Sequence, residues 1–110
     1  MAVGELEVVV VAAGTPVPLQ VASKSVNHFT IQAGKTGASP GDNTGDIYVG
    51  SALVGNGSGA PQDAFGVRLA TGQSYSPPPS GIGPNPYNLA DYFINADNND
   101  DGATVLFDVT

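Results

Sequence analysis

Four segments decide the fold class of this chain: Asp46-Ile47-Tyr48-Val49-Gly50-Ser51, Phe65-Gly66-Val67-Arg68-Leu69-Ala70, Asn88-Leu89-Ala90-Asp91-Tyr92-Phe93-Ile94-Asn95-Ala96 and Ala103-Thr104-Val105-Leu106-Phe107-Asp108-Val109-Thr110. Each is strand-length and bounded by Gly, Asn, Asp or Pro, and none repeats its apolar residues at a helical period. Ile47 and Val49 are set against Tyr48. Phe65, Val67 and Leu69 read as an inward row, with Gly66 and Arg68 outward. Ala90, Tyr92, Ile94 and Ala96 alternate with Leu89, Asp91, Phe93 and Asn95, and Val105, Phe107 and Val109 form a last inward row. Asn99-Asp100-Asp101-Gly102 reads as a tight hairpin joining the last two strands.

The same grammar extends toward the N-terminus. Val8 to Val11 are four consecutive β-branched residues, which fits a strand buried on both faces or one covered by a partner. Gly14-Thr15-Pro16 breaks that run. Val17, Leu19 and Val21 then alternate with Pro18, Gln20 and Ala22, and Pro18, lacking an N–H, marks an edge or irregular strand. After a turn at Ser23-Lys24-Ser25, Phe29, Ile31 and Ala33 give a further strand. Gly34 to Gly45 and Gly55 to Pro61 read as loops, and Ser76 to Pro86, with five prolines, as an extended polyproline-like excursion. The expectation is an all-β chain, a single antiparallel β-sandwich or jelly-roll-like barrel of about seven or eight short strands. Residues 1–110 make one domain, with 1–7 as an N-terminal arm and 76–87 as a Pro-rich extended loop.

Composition narrows the function classes. The chain has 110 residues, and Gly 15 and Pro 9 suit many strands joined by turns. Without cysteine there is neither a disulfide framework nor a thiolate metal site, which leans toward synthesis in a reducing cytosol. Only 12% of residues are charged, and Lys+Arg 3 against Asp+Glu 10 gives a net charge of −7. So few cations argue against nucleic acid and against an anionic membrane surface, and suit solubility or a basic protein partner. The apolar run Val8 to Ala13 is too short to span a bilayer, and Glu5 and Glu7 stand where a signal peptide carries positive charge.

Few residues suggest site chemistry. Asp97, Asn99 and Asp101, followed by Gly102 and Asp108, match a calcium-loop spacing with Asp where Glu is usual. Strands on both sides oppose that reading, because Asp108 would lie roughly 20 Å along an extended chain from Gly102. Calcium is therefore expected to be unnecessary, and no cofactor is implied. His28 is the sole histidine and reads as a surface or inter-subunit residue, no catalytic residues stand out, and the chain reads as no enzyme. Tyr48, Tyr75, Tyr87 and Tyr92, with four Phe, could form a sugar-stacking platform or serve packing.

Taken in order, Ile47-Tyr48-Val49-Gly50, Gly66-Val67-Arg68-Leu69-Ala70-Thr71-Gly72, Asn88-Leu89-Ala90-Asp91-Tyr92-Phe93-Ile94 and Asp101-Gly102-Ala103 resemble small β-sandwich proteins of tailed-bacteriophage heads. Pro18-Leu19 and Phe29-Thr30-Ile31-Gln32-Ala33 look like their usual start. The resemblance covers most of the chain, and its motifs are turn glycines and core rows, which are signatures of fold. It implies a capsid decoration (cement) protein, made in the host cytoplasm and seated on the outer surface of the capsid. Its partner would be the major capsid protein of the same virus, and it would act as a homotrimer, with no nucleic acid and no membrane involved. Val8, Val9, Val10 and Val11, with Pro77, Pro78, Pro79, Ile82, Pro84, Pro86 and Tyr87, are the expected capsid or oligomer contacts. The alternative is a carbohydrate- or receptor-binding module of a phage tail or bacterial surface protein.

Overall fold

The computed structural model describes residues 2–34, 43–56, 66–77 and 85–109. Phe65, Pro78, Pro79, Ile82, Pro84 and most of the two glycine-containing loops lie outside the described residues. Within them the chain forms ten strands: β1 Ala2–Val10, β2 Val17–Pro18, β3 Ser25–Val26, β4 His28–Ala33, β5 Ile47–Gly50, β6 Val67–Leu69, β7 Ser74–Tyr75, β8 Tyr87–Asn88, β9 Phe93–Ala96 and β10 Asp101–Val109.

Their pairing is nested. β1 pairs with β10, β2 with β9, β3 with β8, β4 with β7 and β5 with β6, every pair antiparallel. The chain is one long two-stranded ribbon whose tip is the β5–β6 hairpin. Two further antiparallel pairings, β10 with β4 and β9 with β5, stitch the coiled ribbon to itself. The result is a four-stranded sheet ordered β1-β10-β4-β7 facing another ordered β2-β9-β5-β6, with β3-β8 as a small third sheet. This is jelly-roll order, and the expected all-β antiparallel sandwich is the observed architecture.

Period-two burial builds the core. Phe29, Ile31 and Ala33 of β4, Ala103 and Val105 of β10, and Val8 and Val10 of β1 meet Ile47 and Val49 of β5, Leu69 of β6 and Ile94 and Ala96 of β9. Leu19, Val26 and Leu89 close the ends. Each Val, Leu, Ile or Phe among them contributes roughly 1.5–3 kcal/mol on burial. Two glycines let β1 and β10 lie close. The Phe107 ring occupies the space where a Cβ on Gly4 would sit, and a Cβ on Gly102 would run into the Val8 carbonyl.

Several sequence expectations are corrected. Residues 2–7 are no free arm, because Ala2 to Glu7 pair in register with Val109 to Thr104. The Val8 to Val11 run is not buried on both faces: Val8 and Val10 enter the core, Val9 is half-buried on the outer face, and Val11 is exposed. Asn99 to Gly102 is no hairpin, since β9 and β10 belong to different sheets and the segment crosses between them, with Asp100 at a φ of 66°. The stretch 88–96 is not one strand. A 3-10 turn at Leu89–Asp91, capped by Asn88, shifts the phase and buries Leu89. The β6 row is inward only in part, because Val67 remains 45% exposed at the mouth of a cleft.

Candidate functional site

The cleft opens where β6 and β7, the edge strands on one side of the sandwich, approach each other. Gly50 and Ser51 at the end of β5, Val67 of β6, Tyr75 of β7, and Asp91 and Tyr92 before β9 line a hollow of about 380 Å³. Its floor is rigid. The Tyr92 ring stands edge-on to the buried Phe29, with centroids 4.7 Å apart at 66°, and Tyr87 meets the same Phe29 at 5.8 Å and 84°. Burial holds the Tyr92 hydroxyl protonated above the usual phenol range, and its neighbours Tyr75, Tyr87 and Asp91 push in the same direction. The cleft therefore offers neutral hydroxyls, one exposed carboxylate and an aliphatic lip. It can hydrogen-bond a polar ligand.

The four tyrosines do not make one platform. Tyr75 and Tyr92 share the cleft, and Tyr87 packs beneath against Phe29 and, edge-on, His28 at 6.3 Å. Tyr48 lies on the far side of the β2-β9-β5-β6 sheet, donating to Asp97 Oδ2 at 3.2 Å under the Arg68 guanidinium, which also pairs with Asp46. Burial first, then the charge and hydrogen bond of Asp97, raise the Tyr48 hydroxyl above its usual range, with Arg68 opposing.

The weak metal candidates are engaged separately. Asp101, 2% exposed, accepts from the backbone N–H groups of Thr44 at 3.0 Å and Gly45 at 2.9 Å. Asn99 Oδ1 accepts from Ala13 N at 2.8 Å, and Asp97 turns to Tyr48. The three side chains serve two loops and strand β5 instead of one centre, and no group of three His, Cys, Asp or Glu among the described residues could hold a metal ion. The segment that carries them crosses between the two main sheets.

The expected contact residues are dispersed too. Val8 and Val10 are consumed by the core and present nothing to a partner. Pro77 is buried, Pro86 is exposed, and Tyr87 is a half-buried β8 residue paired with Val26. Sequence reading missed Asn95, whose side chain is fully buried on the outer face of β9. It accepts from Gly14 N at 3.0 Å and Ala96 N at 2.8 Å and donates to the Val54 carbonyl at 2.8 Å. An amide flanked by Ile94 and Ala96 within a strand was the available signal, since a buried amide must find partners. Asn95 ties two loops over that sheet.

The opposite sheet carries exposed apolar side chains on its outer face. Val3 is 70% exposed and Leu106 50%, and they border a shallow dip of about 140 Å³ that also touches His28 and Asp108. Asp108 Oδ1 is buried there without a hydrogen-bond partner among the described residues. No helix among the described residues is long and apolar enough to cross a membrane. No family model, no curated protein and no solved structure matches the chain.

Proposed function

We propose that this chain is a structural virion protein that decorates a phage capsid and stabilises it by bridging major capsid protein subunits, acting as a homotrimer on the outer head surface. The observation that carries this reading is the pair of exposed apolar side chains, Val3 and Leu106, on the outer face of the β1-β10-β4-β7 sheet. Both border the same dip as Asp108, whose Oδ1 has no hydrogen-bond partner among the described residues. A contacting subunit would cover the aliphatic surface. Resemblance of the sequence motifs, taken in order, to small β-sandwich proteins of phage heads points the same way. Several such contacts to different capsid subunits would reinforce a shell without any one being strong.

The test is to mix the purified protein with empty heads that lack a decoration protein and follow co-sedimentation and the particle map. Density on the outer surface, arranged in threes, is the expected result. A protein that stays monomeric and leaves heads bare overturns the reading. The second reading, a carbohydrate-binding module, is favoured by the Ser51, Tyr75, Asp91 and Tyr92 cleft. Saturable glycan binding that Tyr75→Ala and Asp91→Ala both abolish would select it.

A further inference from the structure

The cleft between β6 and β7 has a charge character of its own. Asp91, on its wall, is exposed, and its carboxylate has neither a hydrogen bond nor an ion pair among the described residues. Tyr75 and Tyr92 line the same hollow, with Val49 and Val67 as its aliphatic part.

No basic side chain is among the lining residues. The chain has only three Lys and Arg and one His. Lys24 stands over the Phe107 ring, Arg68 is paired with Asp46, and His28 borders the dip on the opposite sheet. Lys35 lies outside the described residues. The undescribed stretches nearest the lining in sequence, 57–65 and 78–84, contain no Lys, Arg or His, whatever their course.

Tyr92 registers the resulting field. Burial first, then Tyr75, Tyr87 and Asp91, hold its hydroxyl protonated above the usual phenol range. A wall that resists one more negative charge favours a positive one.

The rest of the lining selects the kind of cation. A metal ion takes several oxygen ligands, and a bare ammonium is strongly hydrated, so one carboxylate replaces little of the water around either. A quaternary ammonium group instead presents its charge on apolar methyl groups. It gains from aromatic rings, from aliphatic surface and from a counter-charge together. Tyr75 and Tyr92, Val67 and Asp91 are those three elements. The hollow of about 380 Å³ falls within the roughly 300–1,000 Å³ of small-molecule sites.

We infer that this cleft binds a small quaternary ammonium compound, with the Asp91 carboxylate beside the cation and the Tyr75 and Tyr92 rings against its methyl groups. The cleft shares no lining residue with the Val3 and Leu106 dip, so such binding stands whether or not the chain decorates a capsid.

The probe is choline, titrated against the full chain and followed by NMR. Saturable shifts at the Tyr75 and Tyr92 rings are expected in the millimolar range, and the choline methyl resonance should move upfield, as it does over an aromatic face. The neutral carbon isostere, with a tert-butyl group in place of the trimethylammonium, should bind at least about tenfold more weakly. Asp91→Asn keeps the shape and removes the charge. It should leave the melting transition in place, since Asp91 is exposed, and lower choline affinity by about tenfold. Tyr75→Phe keeps the ring and should bind choline as the parent does, whereas a site built for sugar hydroxyls would be weakened by that change. The inference is overturned if choline does not saturate, if the isostere or Asp91→Asn binds equally well, if the methyl resonance is unmoved, or if the shifts map to the His28 and Asp108 dip. A neutral sugar that binds at these residues while choline does not would assign the cleft to carbohydrate instead.

Discussion

The base and the tip of the ribbon are built differently. At the base, β1 and β10 match through nine successive pairs, and glycines at 4 and 102 let side chain and backbone close the gap between them. At the tip, β5 and β6 match through three pairs, and the bonds that reinforce them run between side chains: Arg68 to Asp46, and Tyr48 to Asp97. A long ladder needs little from its side chains beyond alternation. A short one leaves its geometry to specific polar partners, and partly exposed polar partners contribute little each. The base should therefore carry most of the stability, and the tip should be adjustable.

Deleting core volume in each region measures the difference. Ile31→Ala, on β4 directly opposite Val105 of the base strand β10 and with no exposed surface, should cost about 4 kcal/mol in denaturant unfolding. Leu69→Ala, on the edge strand near the tip, should cost about 2 kcal/mol, at the low end of the same range, because an edge can settle into the space. Equal costs would mean that the two regions do not differ energetically.

Asp101 anchors the start of β10 from within, and its replacement is the next largest effect. Asp101→Ala strips the acceptor from Thr44 N and Gly45 N and should cost about 2 kcal/mol. Asp101→Asn keeps one acceptor oxygen and should cost less. Calcium in the millimolar range should not raise the melting temperature of the parent, because its Asp101 carboxylate already serves backbone donors.

The smallest effect is on pH dependence. The Tyr48 and Tyr92 hydroxyls both have folded-state pKa values raised above that of a free phenol. Below the ordinary phenol pKa both folded and unfolded chains hold these protons, and stability is unaffected. As pH rises past it, the unfolded chain releases them first, so stability falls until the raised folded values are passed. Thermal melts above about pH 10 should show that decline. Tyr48→Phe should reduce its slope, which isolates the part belonging to the tip.

Alternation made the base legible in the sequence. Phe29, Ile31 and Ala33, and the row from Ala103 to Val109, fall on the faces their periods assign, and Pro18 sits on an edge strand as its missing N–H requires. Crossings between sheets were not legible. Asp101-Gly102 carries the chemistry of a hairpin turn, and nothing local distinguishes a turn within a sheet from one between sheets. That choice was made by Asp101 finding Thr44 and Gly45 more than fifty residues away along the chain. The cleft was hidden for the same reason, since Ser51, Tyr75 and Asp91 meet only after the ribbon has coiled. Asn88 carried a readable cap, yet the alternation around it imitated a strand, and capping won because Asn88 Oδ1 also accepts from Lys24 N at 3.1 Å.

Nesting also sets an order in time. The tip closes over the shortest separation in sequence, while Ala2 must find Val109. Loop closure costs grow with the logarithm of the span, so each pair formed from the tip outward shortens the search for the next. During synthesis the four-valine run leaves the ribosome early and waits for residues 101–109 before its ladder exists. Pairing this distant belongs to slow-folding topologies, in which unpaired strands are open to aggregation. Glu5 and Glu7, spaced along that waiting strand, are placed as gatekeepers that keep nascent copies apart until the partner strand arrives.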